Sequence, residues 1–458
     1  MNSSYSDMCE GPIFKKIVFY TVPIILTSLL QLLFNAADLV VVGRFCGSVS
    51  VGAVGATGAL INLIINLFIG LSVGSGVRTA QALGSGDYSE VHNTIHTSIP
   101  AALISGIVLT FIGLFCSRFL LDMMDTPDDV IGLSTIYMQI YFCGITSSMV
   151  YNFGSAILRA AGDTKGPLIY LTIAGVVNVI LNVFFVVVFR MDVAGVALAT
   201  SISQTLSAVL VVIALTRRPD ACRLHLRQMK INLKTLAAIM RVGIPAGLQG
   251  SMFSISNVII QSSINSFGSV AMSGNAAAGN IEGFVYVSMN AFHQTALNFT
   301  GQNFGARRFD RIKKITLTCL GCVASVGLVL GVSVCLVATP LLSIYITDSP
   351  AAIEYGIIRM MYICLPYFLC GIMDVTTGLM RGMGVSFAPM LITVLGVCGF
   401  RIGWIYTVFL LPEYHTLPVL YLSYPISWLA TFVVELIVFI MILRRYERQN
   451  AVAPISLK

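Results

Sequence analysis

The run PLIYLTIAGVVNVILNVFFVVVF, residues 167–189, contains no charged residue and decides the fold class. A helix needs about 20 consecutive apolar residues to cross the hydrocarbon core of a bilayer. A span in lipid must also satisfy its backbone hydrogen bonds internally, which favours the helix over any open strand. The run therefore predicts a transmembrane helix, and it carries two asparagines, Asn178 and Asn182, one turn apart.

The rest of the chain repeats this pattern. Of its 458 residues 57% are apolar and 10% are charged, against about 25% charged in an average soluble domain. This composition excludes a water-soluble enzyme, a nucleic-acid binder and a disordered chain. The apolar runs predict an all-α polytopic membrane protein with twelve transmembrane helices, at about 14–42, 51–80, 94–117, 130–156, 167–189, 193–216, 236–265, 271–301, 314–338, 352–379, 386–410 and 419–443.

The distribution of Lys and Arg predicts the orientation of the chain, because cytoplasmic loops are enriched in both residues. With the N-terminus placed in the cytoplasm, most of the 27 basic residues fall on the cytoplasmic side. They include a basic segment between the sixth and seventh spans. We therefore expect a multi-pass protein of the inner or plasma membrane with both termini in the cytoplasm.

The chain also contains an internal repeat. Four motifs recur 221 or 222 residues later, namely Pro23 as Pro245, 47–49 as 268–270, 80–84 as 301–305 and 158–162 as 380–384. Because the offset covers six spans, both copies enter the membrane in the same direction. This predicts two six-helix lobes related by a pseudo-two-fold axis along the membrane normal. The predicted organisation is an N-terminal lobe at 1–216, a basic cytoplasmic linker at 217–234 and a C-terminal lobe at 235–458.

These motifs resemble those of the multidrug and toxic compound extrusion (MATE) family of secondary transporters. The resemblance covers residues 14–445. It is carried by Pro23 with Asn35-Ala36-Ala37-Asp38, by the segment 158–163 with its partner 380–382, and by Gln302-Asn303-Phe304-Gly305-Ala306. It implies twelve helices in two lobes and the efflux of amphipathic, usually cationic, compounds. The driving force that it implies is a proton or sodium gradient.

The resemblance also implies an ion-coupling site in the first lobe. Asp38 matches the acid of the first helix, and Asn178, Asn182 and Thr200 match polar positions in the fifth and sixth helices. The family's second acid is here Asn182. One carboxylate with amides carries half the charge of an acid pair, which favours H⁺ slightly over Na⁺ as the coupling ion. The only metal ion expected is a possible Na⁺ at Asp38.

Charged residues within the spans give further candidates, because acids there are costly. Four acids and one base lie within apolar runs, namely Asp38, Glu282, Asp374, Glu435 and Arg401. Together with Asn35, Tyr137 and Asn152, we assign Glu282, Asp374 and Arg401 to a net negative substrate cavity. The structural alternatives are an Asp38 hydrogen-bonded to Asn35 and Asn178, a Glu282 paired with Arg401 or a tyrosine, a Glu435 in interfacial contact with Arg444, and an Arg401 that is a buried structural cation.

The predicted function is secondary active antiport of amphipathic cationic drugs or metabolites in exchange for H⁺ or Na⁺. No P-loop motif is present, so no ATP-driven step is expected. We expect no enzymatic activity, no cofactor and no nucleic-acid partner, and a monomer in the bilayer. Two alternatives stay open: a lipid-linked sugar flippase of a related fold and a polytopic membrane enzyme. The sequence separates neither H⁺ from Na⁺ nor one substrate from another.

Overall fold

The computed structural model describes residues 8–124, 126–346 and 349–452, and within these ranges the chain is helical with no strand. Among its described residues the first half contains seven α-helices: α1 (Ile13–Phe45), α2 (Ser48–Ser85), α3 (Tyr88–Asp122), α4 (Asp128–Cys143), α5 (Ile145–Ala160), α6 (Lys165–Val183) and α7 (Asp192–Thr216). A π-helical turn, Phe184–Val188, extends α6, and a 3-10 turn, Leu226–Gln228, lies in the segment after α7.

The described part of the second half contains nine α-helices: α8 (Leu233–Asn265), α9 (Ser269–Gly305), α10 (Phe309–Leu336), α11 (Ala338–Ser343), α12 (Pro350–Ile363), α13 (Tyr367–Gly382), α14 (Phe387–Thr393), α15 (Phe400–Thr407) and α16 (Leu417–Val452). A π-helical segment, Val394–Gly399, joins α14 to α15, so that these form one span. A 3-10 turn, Pro412–Tyr414, precedes α16.

These helices agree in order with the predicted spans. Eight are long and apolar enough to cross a membrane, and the bent pairs α4–α5 and α12–α13 bring the number to 10. Helices α8 and α9 are equally long but contain more Ser, Asn and Gln, and they occupy the predicted seventh and eighth spans. The all-helical fold class is therefore confirmed, and its helices are consistent with twelve spans.

Both bends occur where the chain cannot continue a straight helix. Helices α4 and α5 meet at 46° around Gly144, and a Cβ there would lie 2.6 Å from the hydroxyl oxygen of Ser201 on α7. Helices α12 and α13 meet at 45° just before Pro366, whose ring has no amide proton to donate. The proline accounts for the second break, and the glycine at the first break lets α7 approach closely.

The described chain forms two compact units, one comprising Val22–Ser251 and the other Met8–Thr21 with the residues from Met252 onward. The boundaries lie within α1 and α8, the first helix of each sequence repeat. In the first unit the core is centred on buried side chains of α4 and α5, including Phe142, Met149 and Phe153. In the second unit a smaller core gathers residues of α9, α11 and α12.

Glycines let α2 and α8 approach until their backbones touch. A Cβ added to Gly70 would lie 2.3 Å from the amide nitrogen of Gly247, and one added to Gly74 would lie 2.2 Å from the carbonyl oxygen of Ile239. Small residues spaced four apart are the usual means of close helix packing in membranes. The Gly70-Leu71-Ser72-Val73-Gly74 segment, which has the G-x-S-x-G spacing of a hydrolase motif, is therefore a packing element.

Gly74→Ala is expected to destabilise the protein by about 1–3 kcal/mol, because the new methyl group meets backbone that cannot rotate away. The matched control is Gly55→Ala on the same helix, where a Cβ meets nothing within 4 Å. We expect the control to unfold at the wild-type temperature or slightly above it, since alanine favours helix. Thermal unfolding of the purified proteins measures both effects, and equal melting temperatures for the two variants would contradict the close α2–α8 packing.

Candidate ion-coupling site

Four polar side chains in the first unit form a closed ring of hydrogen bonds. Asn182 Nδ2 donates to Asp38 Oδ1 at 2.5 Å and to Asn178 Oδ1 at 3.2 Å. Asn178 Nδ2 donates to Thr200 Oγ1 at 3.3 Å, and this hydroxyl donates to Asp38 Oδ2, also at 3.3 Å. The structure thus brings together all four residues assigned to ion coupling, on α1, α6 and α7.

Helix geometry and one glycine account for this arrangement. Asn178 and Asn182 are four residues apart, which places both on one face of α6. Phe34 lies one turn before Asp38 on α1, and its ring packs over Gly175, where a Cβ would lie 1.8 Å from the ring. Gly175 therefore allows α1 to approach α6 closely enough for Asp38 to reach the two asparagines.

One acceptor of the ring is left without a partner. Asn182 is fully buried, and its Oδ1 has no hydrogen-bond partner among the described residues. A buried polar atom without a protein partner is available to a bound water, a proton donor or a cation.

The three remaining candidates of the first unit differ in their surroundings. Tyr137 on α4 stacks against Tyr141 with ring centroids 6.2 Å apart, and both phenols lie within electrostatic range of Asp38. Asn35 is exposed, and Asn152 Nδ2 donates to the carbonyl oxygen of Ser148 within its own helix. The alternative in which Asn35 and Asn178 bind Asp38 is wrong, because Asn182 and Thr200 supply the hydrogen bonds.

In the second unit Glu282 has a partner that the sequence did not indicate. Arg359 Nη2 lies 2.6 Å from Glu282 Oε2, with exposed side-chain fractions of 11% and 14%. Arg359 Nη1 also donates to Asn275 Oδ1 at 2.6 Å, and Tyr367 donates to Glu282 Oε1 at 3.4 Å. Pairing with Arg401 is therefore wrong, and the tyrosine alternative agrees with the bond from Tyr367. The separation of 77 residues between the partners explains why no sequence pattern connected them.

Arg401 is held by aromatic rings of α16. Its guanidinium carbon lies 3.9 Å from the ring centre of Tyr424 and 5.5 Å from that of Trp428, and Nε donates to Ser427 Oγ at 3.1 Å. Stacking on aromatic faces is a favourable way to bury this cation. These contacts agree with the structural alternative for Arg401, and its assignment to the cavity stays a prediction.

The other two acids of the second unit lie between helices. Asp374 is half-buried, and its backbone carbonyl accepts a 2.6 Å hydrogen bond from His293 Nδ1. Glu435 is fully buried, and its Oε1 accepts bonds from Thr377 at 2.9 Å and from Thr393 at 2.8 Å. The interfacial contact with Arg444 considered for Glu435 is therefore wrong. Glu435 is instead buried between α13, α14 and α16.

Comparison with known proteins identifies both halves of the chain. A family model described as MatE matches residues 23–184 and again 245–407. The two matches confirm the internal repeat that the recurring motifs predicted. The second match begins at Pro245, the residue that the repeat aligned with Pro23, where the first match begins.

Two curated relatives come from Bacillus subtilis. The probable multidrug resistance protein YpnP is 28% identical over 85% of this chain and 87% of its own length. The probable multidrug resistance protein YoeA is 26% identical over 91% of each chain. Among solved structures, a MATE crystal structure in complex with MaL6 superimposes with a TM-score of 0.91 at 21% identity, covering 98% of this chain and 100% of that one. At this identity the likeness shows the fold.

Arg359→Met is expected to cost about 3–5 kcal/mol of stability, because it leaves the carboxylate of Glu282 buried without its cation. Replacing both partners, as Arg359→Met with Glu282→Gln, should recover part of the loss. Arg118→Met removes an arginine that is exposed and should leave the melting temperature unchanged. Thermal unfolding of the three variants tests the pair, and a double variant no more stable than Arg359→Met would refute it.

Proposed function

The chain belongs to the MATE family of membrane transporters, and from that premise we propose that it is a secondary active antiporter that exports amphipathic organic cations in exchange for H⁺ by alternating access. The observation that carries the proposal is the ring of Asp38, Asn178, Asn182 and Thr200, in which two neutral side chains donate to one carboxylate. The names of the Bacillus relatives support drug export.

The hydrogen-bond donors and acceptors of the ring support proton coupling. With Asp38 ionised, both carboxylate oxygens accept bonds, from Asn182 and Thr200, and Asn182 Oδ1 is idle. A protonated Asp38 becomes a donor, and the Thr200 hydroxyl 3.3 Å from its Oδ2 can accept as well as donate. The same four side chains can therefore satisfy both protonation states.

Exchange follows from competition for one negative charge. A proton at Asp38 removes the charge that would attract a cationic substrate, and a bound cation stabilises the ionised carboxylate against protonation. In the second unit the charge of Glu282 is already compensated by Arg359. Asp38 is thus a half-buried acid that can respond to both ligands.

Protonation of Asp38 also weakens the contacts between α1, α6 and α7. The two bonds that Asp38 accepts link α1 to α6 and α7. When the carboxyl becomes neutral, both bonds weaken, because charge-assisted hydrogen bonds are about twice as strong as neutral ones. We propose that this weakening shifts the equilibrium between the two access states, in a monomer of the plasma membrane with both termini in the cytoplasm.

Asp38→Asn is expected to abolish export of a fluorescent cationic dye, reducing efflux to the level of cells without the transporter, because the amide cannot exchange a proton. The control is Asp129→Asn, which removes an exposed acid from the first turn of α4. Efflux is measured at matched surface expression. Wild-type efflux by Asp38→Asn would overturn the role of Asp38, and loss in both variants would show that the assay does not report on this site.

The coupling ion is tested with purified protein in proteoliposomes. We expect an imposed pH gradient to drive dye uptake in sodium-free buffer, and an imposed Na⁺ gradient at equal pH to drive none. Asn182→Asp adds a second carboxylate beside Asp38. Since neighbouring carboxylates retain a proton to higher pH, the pH profile of transport should shift upward. Transport driven only by Na⁺ would contradict proton coupling while leaving the export function intact.

A further inference from the structure

Three of the five histidines of the chain meet at one end of α3, outside the proposed coupling ring. His92 and His96 lie one turn apart in the first turns of that helix, and His225 lies in the segment between α7 and α8. One ring nitrogen from each of the three residues lies within 4.8 Å of those of the other two. The rings of His92 and His96 stack with centroids 3.8 Å apart, and those of His96 and His225 with centroids 5.9 Å apart.

We propose that His92, His96 and His225 form a binding site for one divalent transition-metal ion of the kind that imidazole prefers, such as Zn²⁺. Two histidines with three residues between them on one helical face are a recurrent chelating pair, and three histidines leave a fourth position for water. Zn²⁺ with nitrogen ligands at about 2.0–2.1 Å requires nitrogens about 3.4 Å apart in a tetrahedron. Metal binding therefore requires the ring nitrogens to move together by at most about 1.4 Å, from the 4.8 Å limit of the cluster to about 3.4 Å.

The hydrogen bonds of His96 determine which of its two ring nitrogens carries the lone pair that a metal can bind. Its Nδ1 lies 2.8 Å from the carbonyl oxygen of His92, and a carbonyl can only accept, so Nδ1 carries the proton. The lone pair is then on Nε2, which accepts the backbone amide of His225 at 3.0 Å. A ligating histidine typically donates its other ring N–H to a carbonyl in this way. The metal would take the place of the amide proton at Nε2.

His92 shows the same arrangement with a side-chain partner. Its Nε2 lies 3.0 Å from Gln228 Oε1, and because an amide oxygen can only accept, the proton is on Nε2 and the lone pair is on Nδ1. Gln228 thus orients His92 from the same segment that carries His225. His225 itself is exposed, which leaves its ring room to turn toward the other two.

The neighbouring cysteine is unsuited to complete the ligand set. Cys222, three residues before His225, is fully buried. Burial, with Asp220 nearby, raises the pKa of its thiol to about 12, so it stays protonated at neutral pH. The ligand atoms that lie within 4.8 Å of one another among the described residues belong to the three imidazoles, so the protein ligands of the site are nitrogens. Binding would fasten the segment between α7 and α8 to the end of α3, which is a structural consequence independent of transport.

The test is Zn²⁺ binding to the purified full chain in detergent, stripped of metal and carrying an affinity tag without histidines. We expect one ion per chain by titration against a zinc indicator. His225→Ala and His92→Ala should each weaken binding by at least about tenfold, because loss of a first ligand exceeds the loss from its supporting hydrogen bonds. The control is His415→Ala, an exposed histidine of the other unit, which should bind as the wild type does.

His225 is exposed in a connecting segment, so its replacement should leave the melting temperature of the metal-free protein unchanged and keep the result interpretable. Co²⁺ supplies a second readout, since a thiolate ligand adds a charge-transfer band that imidazole does not. Absence of Zn²⁺ binding by the wild type, unchanged binding by His225→Ala, or a thiolate band would each overturn the proposal. None of these outcomes bears on dye efflux, so the site and the export function are tested separately.

Discussion

The carboxylate of Asp38 lies within an apolar helix, where it is costly unless neighbouring helices supply its hydrogen bonds. Asn182 and Thr200 supply them, and Asn178 links these two, so that three helices are joined at one acid. Much of the first unit around α6 is consistent with this requirement. Gly175 has no side chain and so lets α1 approach α6, and the two asparagines lie one turn apart on α6. Both features bring neutral donors to the charge of Asp38.

In the second copy of the repeat, other contacts stabilise the acids that lie within the spans. Ile260 and Trp404 stand 222 residues after Asp38 and Asn182, so the ring has no counterpart there. Glu282 is instead neutralised by Arg359, and Glu435 is enclosed with two threonine hydroxyls. The second copy also holds a half-buried acid, Asp374, but the ring of neutral side chains around a carboxylate stands in the first copy. This asymmetry favours a single coupling site over two equivalent ones.

Close helix approach depends on glycine at a few positions, and each has a local purpose. Gly70 and Gly74 bring the backbones of α2 and α8 into contact, and Gly144 lets α7 press against the break between α4 and α5. In lipid, helices gain little from hiding apolar side chains from one another, so tight van der Waals packing at small residues contributes more.

The sequence by itself determined the helical class, the spans and the repeat, because apolar run length and recurring motifs are local properties that lipid enforces. Through the family resemblance it also indicated Asp38, Asn178, Asn182 and Thr200. Only the tertiary structure decided the partners of the buried charges: Arg359 for Glu282, aromatic rings for Arg401 and threonines for Glu435. It alone brought His225 to His92 and His96. These contacts join residues that are far apart in sequence, and helix packing, which no local pattern encodes, sets which of them meet.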